Sequence, residues 1–209
     1  MTTVSQAFAA FRAKRSPRIL AAGVVLAVVL RVPAGEVGWH DAVAVAVLVP
    51  VYVLGEWAIH VHLLHLPPFR WRGREVELVT ARSHRMHHED PHNLNMILLG
   101  PLEAVALLAL VPLVVAPFVP LLGWRAALSA LVAGYALIAV YEWTHFLIHT
   151  AVRPRSGYFR AIRRGHRLHH FKNEHYWHGI TNTVSDRVLG TAPDQASVPR
   201  SATARTLRP

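Results

Sequence analysis

The sequence predicts an all-α integral membrane protein, with four transmembrane helices and a cytoplasmic, histidine-rich helical cap. Three observations carry that prediction. Of 209 residues, 53% are hydrophobic and only 16% are charged, against about 25% charged in an average soluble domain, so charge is too sparse to coat a globule. The apolar residues gather in four long runs. Finally, 20 of the 22 Lys and Arg residues fall before the first run, between the second and third, or after the fourth, a one-sided pattern that marks the cytoplasmic face.

The first run, Ile19–Leu30, is 12 uncharged residues, extendable from Pro17 to Ala34, with Ser16 and Pro17 as an expected N-cap and first turn. A basic start and a short apolar core also suit a signal peptide. Arg31 follows without a small-residue cleavage pattern, which favours a retained helix. The second run, Ala42–Leu66, carries Glu56, His60, His62 and His65 at its far end. Ala104–Gly123 is uncharged, expected to begin nearer Ile97, with Pro112, Pro117 and Pro120 disturbing its end. The fourth, Ala126–Thr150, carries Glu142, His145 and His149. A span needs roughly 20 residues, so the last three are long enough. Three regions are expected: residues 1–40, a basic segment and first helix; 41–190, a metal-bearing membrane domain; and 191–209, a disordered basic tail rich in Pro, Ser, Thr, Ala and Arg.

Both termini, and 14 of the 15 histidines, then lie on the cytoplasmic side. The net charge of +10 becomes a topology signal, matched to anionic lipid headgroups rather than nucleic acid. The absence of cysteine excludes disulfides, thiolate zinc sites, cysteine-ligated iron–sulfur clusters and cysteine nucleophiles.

Ten histidines form four motifs: His60 and His65; His84, His87 and His88; His145 and His149; His166, His169 and His170. The pattern repeats. Glu56-Trp57 recurs 86 residues on as Glu142-Trp143, and the first H-x2-HH recurs 82 residues on as the second. On a helix, residues i, i+3 and i+4 share a face, so each triplet is expected to present its imidazoles to one centre. His60 and His65 stand about 140° apart on an ideal helix, so that pair needs a distorted end, which Pro67-Pro68 makes plausible. Chance matches to H-x2-HH number only about 0.07 at this composition.

Neutral imidazole suits zinc, copper, iron and nickel. Ten ligands exceed what one ion takes and fit two, each with an open position for a small molecule such as O2. Glu56 and Glu142 are costly inside a span and are expected to orient His60 and His145 or His149, or to ligate directly. His62, His92, His175 and His178 fall outside the motifs. Trp57, Trp143, Trp124, Tyr176 and Trp177 are expected at the membrane interface. A metal transporter would need ligands at the midplane, where Ala104–Gly123 offers none.

The segments EWAIHVHLLH (56–65), HRMHHEDP (84–91), YEWTHFLIH (141–149) and HRLHHFKNEHYWHGITNTVSDRVLGT (166–191) carry a resemblance. The chain resembles the membrane-bound fatty acid hydroxylase superfamily, also called the sterol desaturase family, and is most similar to its fatty acid 2-hydroxylase type. The likeness runs from about Val51 to Thr191. It implies a four-helix membrane core with a cytoplasmic helical cap and a histidine-ligated dimetal centre, two iron ions in the active enzyme, with zinc possible in isolated protein. It also implies hydroxylation or desaturation of a membrane lipid or fatty acyl substrate, with O2 as co-substrate and electrons from NAD(P)H. The chain shows no cytochrome b5 domain, so a separate electron-transfer protein is the expected donor. Sterol and carotenoid enzymes share the same motifs. His62 and His178 stand where the family's pattern is often aromatic.

Overall fold

The structure, a computed structural model, describes residues 1–153 and 155–207. The chain divides into two compact units. One comprises Ser5–Tyr52 and Leu99–Trp143, the other Met1–Val4, Val53–Leu98 and Thr144–Pro209.

The first unit is helical. Helix α1 (Val4–Arg12) buries Ala7 and Phe11, with Phe8 and Phe11 edge-on to Trp143. Helix α2 (Arg15–Arg31) follows, starting a residue ahead of the expected cap. Ser16 is therefore inside the helix, and its hydroxyl donates to Glu142 Oε2 at 2.9 Å. After a 3-10 turn at Val32–Ala34 comes α3 (Trp39–Ile59). Buried Arg31 completes the connection by pairing with Asp41 at 2.9 Å and donating to Gly35 O and Ser129 Oγ. Arg31 and Asp41, both buried, are thus partnered, as burial demands.

Helix α5 (Pro101–Val115) packs on α2. A Cβ at Gly23 would lie 2.7 Å from Leu108, and one at Gly134 2.6 Å from Val111. Glycine and the core alanines Ala27, Ala44, Ala104, Ala127 and Ala130 let helices approach closely, the usual solution where lipid removes the hydrophobic drive between helices. Pro112 lacks the N–H that would bond Leu108 O, and the Tyr135 hydroxyl donates to that carbonyl at 2.8 Å. Tyr135→Phe strands the acceptor and is expected to cost about 1–2 kcal/mol, seen as a lower Tm in detergent micelles.

Among the described residues, three helical segments are long and apolar enough to cross a membrane: Arg15–Ala34, Trp39–Leu64 and Trp124–Ile148. Their outer faces expose residues such as Val25, Leu26 and Val29, suited to lipid contact, and the chain is a multi-pass membrane protein. The expected span at Ala104–Gly123 differs. It splits at Ala116-Pro117 into α5, of 15 residues, and α6 (Phe118–Leu122). At 1.5 Å per residue α5 rises about 22 Å, short of a hydrocarbon core of about 30 Å. Helix α7 (Trp124–Ile148) follows directly.

In the second unit a π-helical turn, His60–Leu64, continues α3. The chain then forms a hairpin of β1 (Phe69–Trp71) and β2 (Arg74–Val76), paired antiparallel. Arg72 (φ 49) and Gly73 (φ 77) make its turn, as two-residue hairpins require. The all-α expectation is corrected by this small ribbon, whose strands are too short for alternation to reveal. Helices α4 (Val79–Glu89) and α8 (Gly157–Phe171) hold the two triplets, and α8 is capped by Ser156 Oγ accepting from Phe159 N. Helix α9 (Val184–Val188) is short.

The segment expected to be a disordered tail is ordered through Leu207. Val198, Ala204 and Leu207 are buried, and Ser201 N donates to Lys172 O at 2.8 Å. Arg208 and Pro209, the end of that tail, lie outside the described residues.

Candidate metal centre

The ten motif histidines converge in two groups of five. His60, His65, His84, His88 and His169 form one; His87, His145, His149, His166 and His170 form the other, and within each the ligand atoms lie within 4.8 Å of one another. The triplets do not each serve one centre, as expected from their common face. Each splits. At 100° per residue, i and i+4 stand only about 40° apart, while i+3 lies about 60° to the other side. His84 and His88 therefore face the first group and His87 the second; His166 and His170 face the second and His169 the first. Each sequence repeat contributes four histidines to one group and its i+3 histidine to the other.

The distorted end expected at His60–His65 is the π turn. Its wider winding closes with His65 N–H donating to His60 O at 3.2 Å, and His60 and His65 come to 5.0 Å between ring centroids. His145 and His149 need no such device, His145 lying in the last turn of α7 and His149 just past its end.

In the first centre His84 Nε2 lies 3.2 Å from His60 Nε2, 3.1 Å from His65 Nε2 and 3.1 Å from His88 Nε2, and His169 Nε2 lies 3.2 Å from His88 Nε2. The outward nitrogens explain why. His60 Nδ1 bonds His178 O at 2.6 Å, His88 Nδ1 bonds Ala204 O at 2.8 Å, and His169 Nδ1 bonds Tyr176 O at 2.9 Å. A carbonyl only accepts, so each Nδ1 carries the proton and each Nε2 turns a lone pair inward. Facing lone pairs repel unless a cation lies between them. Nitrogens bound to one ion at about 2.1 Å and at right angles would sit about 3.0 Å apart, close to the spacing here.

In the second centre His166 Nε2 is 2.9 Å from His149 Nε2 and 3.0 Å from His170 Nε2. Both ring nitrogens of His87, and the Nδ1 of His166 and His170, are buried without a hydrogen-bond partner among the described residues. Buried polar atoms are rarely left so, and a bound ion would take up one of the two His87 nitrogens. Burial pushes His65, His84, His87, His166, His169 and His170 below the usual imidazole value, and the neighbouring rings reinforce it. His88 falls to about 4 and His149 to about 3, again through burial. The cluster is therefore neutral and ligand-competent at neutral pH. Five imidazoles exceed a closed tetrahedral zinc site and suit an ion that keeps a sixth position.

The two glutamates act differently from the expectation. Glu56 accepts from Ile180 N at 2.6 Å, Thr181 N at 2.9 Å and the Thr181 hydroxyl. It holds the loop whose His178 carbonyl bonds His60, and so reaches that ligand indirectly. Glu142 accepts from Ser16 Oγ and, at 2.6 Å, from Leu99 N, joining α2 to the approach to α5 within the first unit. His62, His92, His175 and His178 fall in neither group, although His178 is buried 5.3 Å from His60 between centroids.

Sequence reasoning missed the residues that hold this loop. Asp186 accepts from His178 N, Gly179 N and Thr191 Oγ1 at 2.7–2.9 Å. Trp57, expected at the interface, donates to the Thr191 hydroxyl at 2.9 Å, and Trp177 is buried. A Cβ at Gly179 would meet Asn182 O at 2.0 Å, so only glycine fits. The GIT and DRVLGT strings were the visible signal.

The fatty acid hydroxylase family model matches residues 43–191. Dihydroceramide fatty acyl 2-hydroxylase FAH2 of Arabidopsis thaliana is 29% identical over 155 residues, 71% of this chain and 60% of that protein. Ceramide very long chain fatty acid hydroxylase SCS7 of Saccharomyces cerevisiae is 26% identical over 141 residues, 68% of this chain and 35% of its own length. The chain thus spans only part of these relatives. The solved structure of full length Scs7p, in which only the hydroxylase domain is visible, matches with a TM-score of 0.70 at 24% identity, over 89% of this chain and 68% of that one; it shows a shared fold. The matched stretch contains all ten clustered histidines together with the loop that orients His60, and on that match the chain belongs to the fatty acid hydroxylase family.

Proposed function

We propose that the chain is a membrane-bound non-haem di-iron oxygenase that hydroxylates the acyl chain of a lipid, using O2 and electrons that pass from NAD(P)H through a separate redox protein. The observation that carries this reading is the pair of five-imidazole clusters, each one ligand short of six. FAH2 is named a dihydroceramide fatty acyl 2-hydroxylase and SCS7 a ceramide very long chain fatty acid hydroxylase, which favours a fatty acyl substrate here. One oxygen atom of O2 enters a C–H bond and the other leaves as water, consuming two electrons and two protons. Bound iron would supply the activation of O2, which no side chain of this sequence performs.

The chain's own residues supply position. His60, His88 and His169 are held as Nδ1–H tautomers by backbone carbonyls, and Glu56 and Asp186 fix the loop behind His60. Burial of the rings would exclude water from metals held there. The Lys and Arg distribution favours termini and metal site on the cytoplasmic side, with α5 and α6 completing a fourth crossing.

The test is lipid profiling by mass spectrometry of cells expressing the chain, against a His169→Ala control. An acyl species that gains one oxygen only with the intact chain supports hydroxylation. Loss of two hydrogens instead would make it a desaturase. Metal accumulation without any lipid product would overturn the enzyme reading.

A further inference from the structure

The segment Gln195–Leu207 buries Val198, Ala204 and Leu207, and polar contacts tie it along its length to the ends of α8 and α4. At the α8 end, Lys172 Nζ donates to Gln195 O, Asn173 Nδ2 to Pro199 O, and Ser201 N to Lys172 O. Glu174 accepts from the hydroxyls of Ser201 and Thr203. These residues follow His169 and His170 directly in sequence. At the α4 end, Arg205 donates through Nε to His88 O at 2.8 Å and through Nη2 to Glu89 O, and its guanidinium lies over the Phe171 ring. Arg85, held by Glu77 at 2.5 Å, donates to Leu207 O at 3.2 Å. Between these anchors the carbonyl of Ala204 accepts from His88 Nδ1 at 2.8 Å.

We infer that Ser201–Leu207 is a positioning strap for the first metal centre, in which the Ala204 carbonyl sets the tautomer and ring plane of His88 and Arg205 holds that carbonyl in place. The inference rests on the metal-centre reading above. The geometry is specific. Arg205 grips the backbone carbonyl of the residue whose ring its neighbour, Ala204, orients, so strap and ligand cannot shift independently. The end carbonyls of α4 have no partner in their own helix, and Arg205 fills two of them. His87, one residue away, has no Nδ1 partner among the described residues and points to the other centre. The strap therefore bears on one ion and not on both.

Loss of an outer partner of a metal-ligating histidine typically weakens metal binding about 10–100-fold. The experiment titrates the detergent-purified, metal-stripped chain with Fe(II) under anaerobic conditions and reads stoichiometry and affinity. It compares the intact protein with Arg205→Ala, with Arg205→Lys, with a chain ended after Arg200, and with the exposed control Arg200→Ala. The intact chain and Arg200→Ala are expected to bind two ions. Arg205→Ala and the shortened chain are expected to weaken one ion by about 10–100-fold while the second stays unchanged, with helical circular dichroism retained. Arg205→Lys, which keeps a donor without the fork, is expected to restore part of the loss. Equal weakening of both ions, or two ions bound as tightly as in the intact chain, would overturn the strap and leave the metal centre standing. An intact chain that binds no ion would overturn both.

Discussion

Replacing His87 with alanine is expected to lower bound metal from two ions to about one per chain and to abolish the proposed hydroxylation. His87 comes from the first sequence repeat but belongs to the centre formed by His145, His149, His166 and His170. Its ring lies 4.9 Å from His145, 4.5 Å from His149 and 4.6 Å from His170 between centroids. Removing it leaves four imidazoles and a buried gap at the point where the two halves exchange ligands. Loss of an outer partner alone costs about 10–100-fold in affinity or activity, so loss of a ligand is expected to cost at least about 100-fold. The ion at His60, His65, His84, His88 and His169 should remain. Metal analysis of the purified variant, beside lipid profiling of the cells that produced it, reads both effects. Undiminished metal with full activity would remove His87 from the site.

Glu56→Ala is expected to be the most damaging change outside the ligands. It removes the acceptor for two backbone N–H groups and one hydroxyl, all buried. Each donor left unsatisfied at Ile180 and Thr181 in this buried setting costs about 1–3 kcal/mol. The loss also travels. The released loop carries the His178 carbonyl that orients His60, so the first centre should bind metal more weakly even where the protein still folds. Glu56→Gln keeps one acceptor oxygen and the side-chain shape, and is expected to fall between the two. Thermal unfolding in micelles measures the first effect and Fe(II) titration the second. A Glu56→Ala protein with unchanged Tm and two tightly bound ions would contradict the loop's role.

The ten clustered histidines, and the distortion needed to bring His65 beside His60, were legible because imidazole is chemically distinctive and helical angles are fixed. The 2+1 split of each triplet follows from the same angles, but a shared face is too coarse a description to reveal it. Glu142 shows another limit: a carboxylate within an apolar run signals a polar partner, not which one, and its partners are Ser16 and Leu99 N. The strap escaped notice because composition registers apolar burial, whereas Ser201, Thr203 and Arg205 are held by hydrogen bonds to helix-end carbonyls and Glu174. The hairpin at Phe69–Val76 is too local for periodicity to register, whereas the break between α5 and α6 falls at Pro117, one of the prolines expected to disturb that run.

The exchange of ligands between the halves is tested most directly by counting iron in a His84→Ala/His88→Ala background, where only the centre of His87, His145, His149, His166 and His170 remains. That protein should hold one ion. Adding His169→Ala should leave the ion in place, although His169 sits on the same helix as two of its ligands, whereas adding His87→Ala should remove it. Loss of the ion on His169→Ala, with retention on His87→Ala, would mean that each triplet serves a single centre and that the interleaved arrangement is wrong.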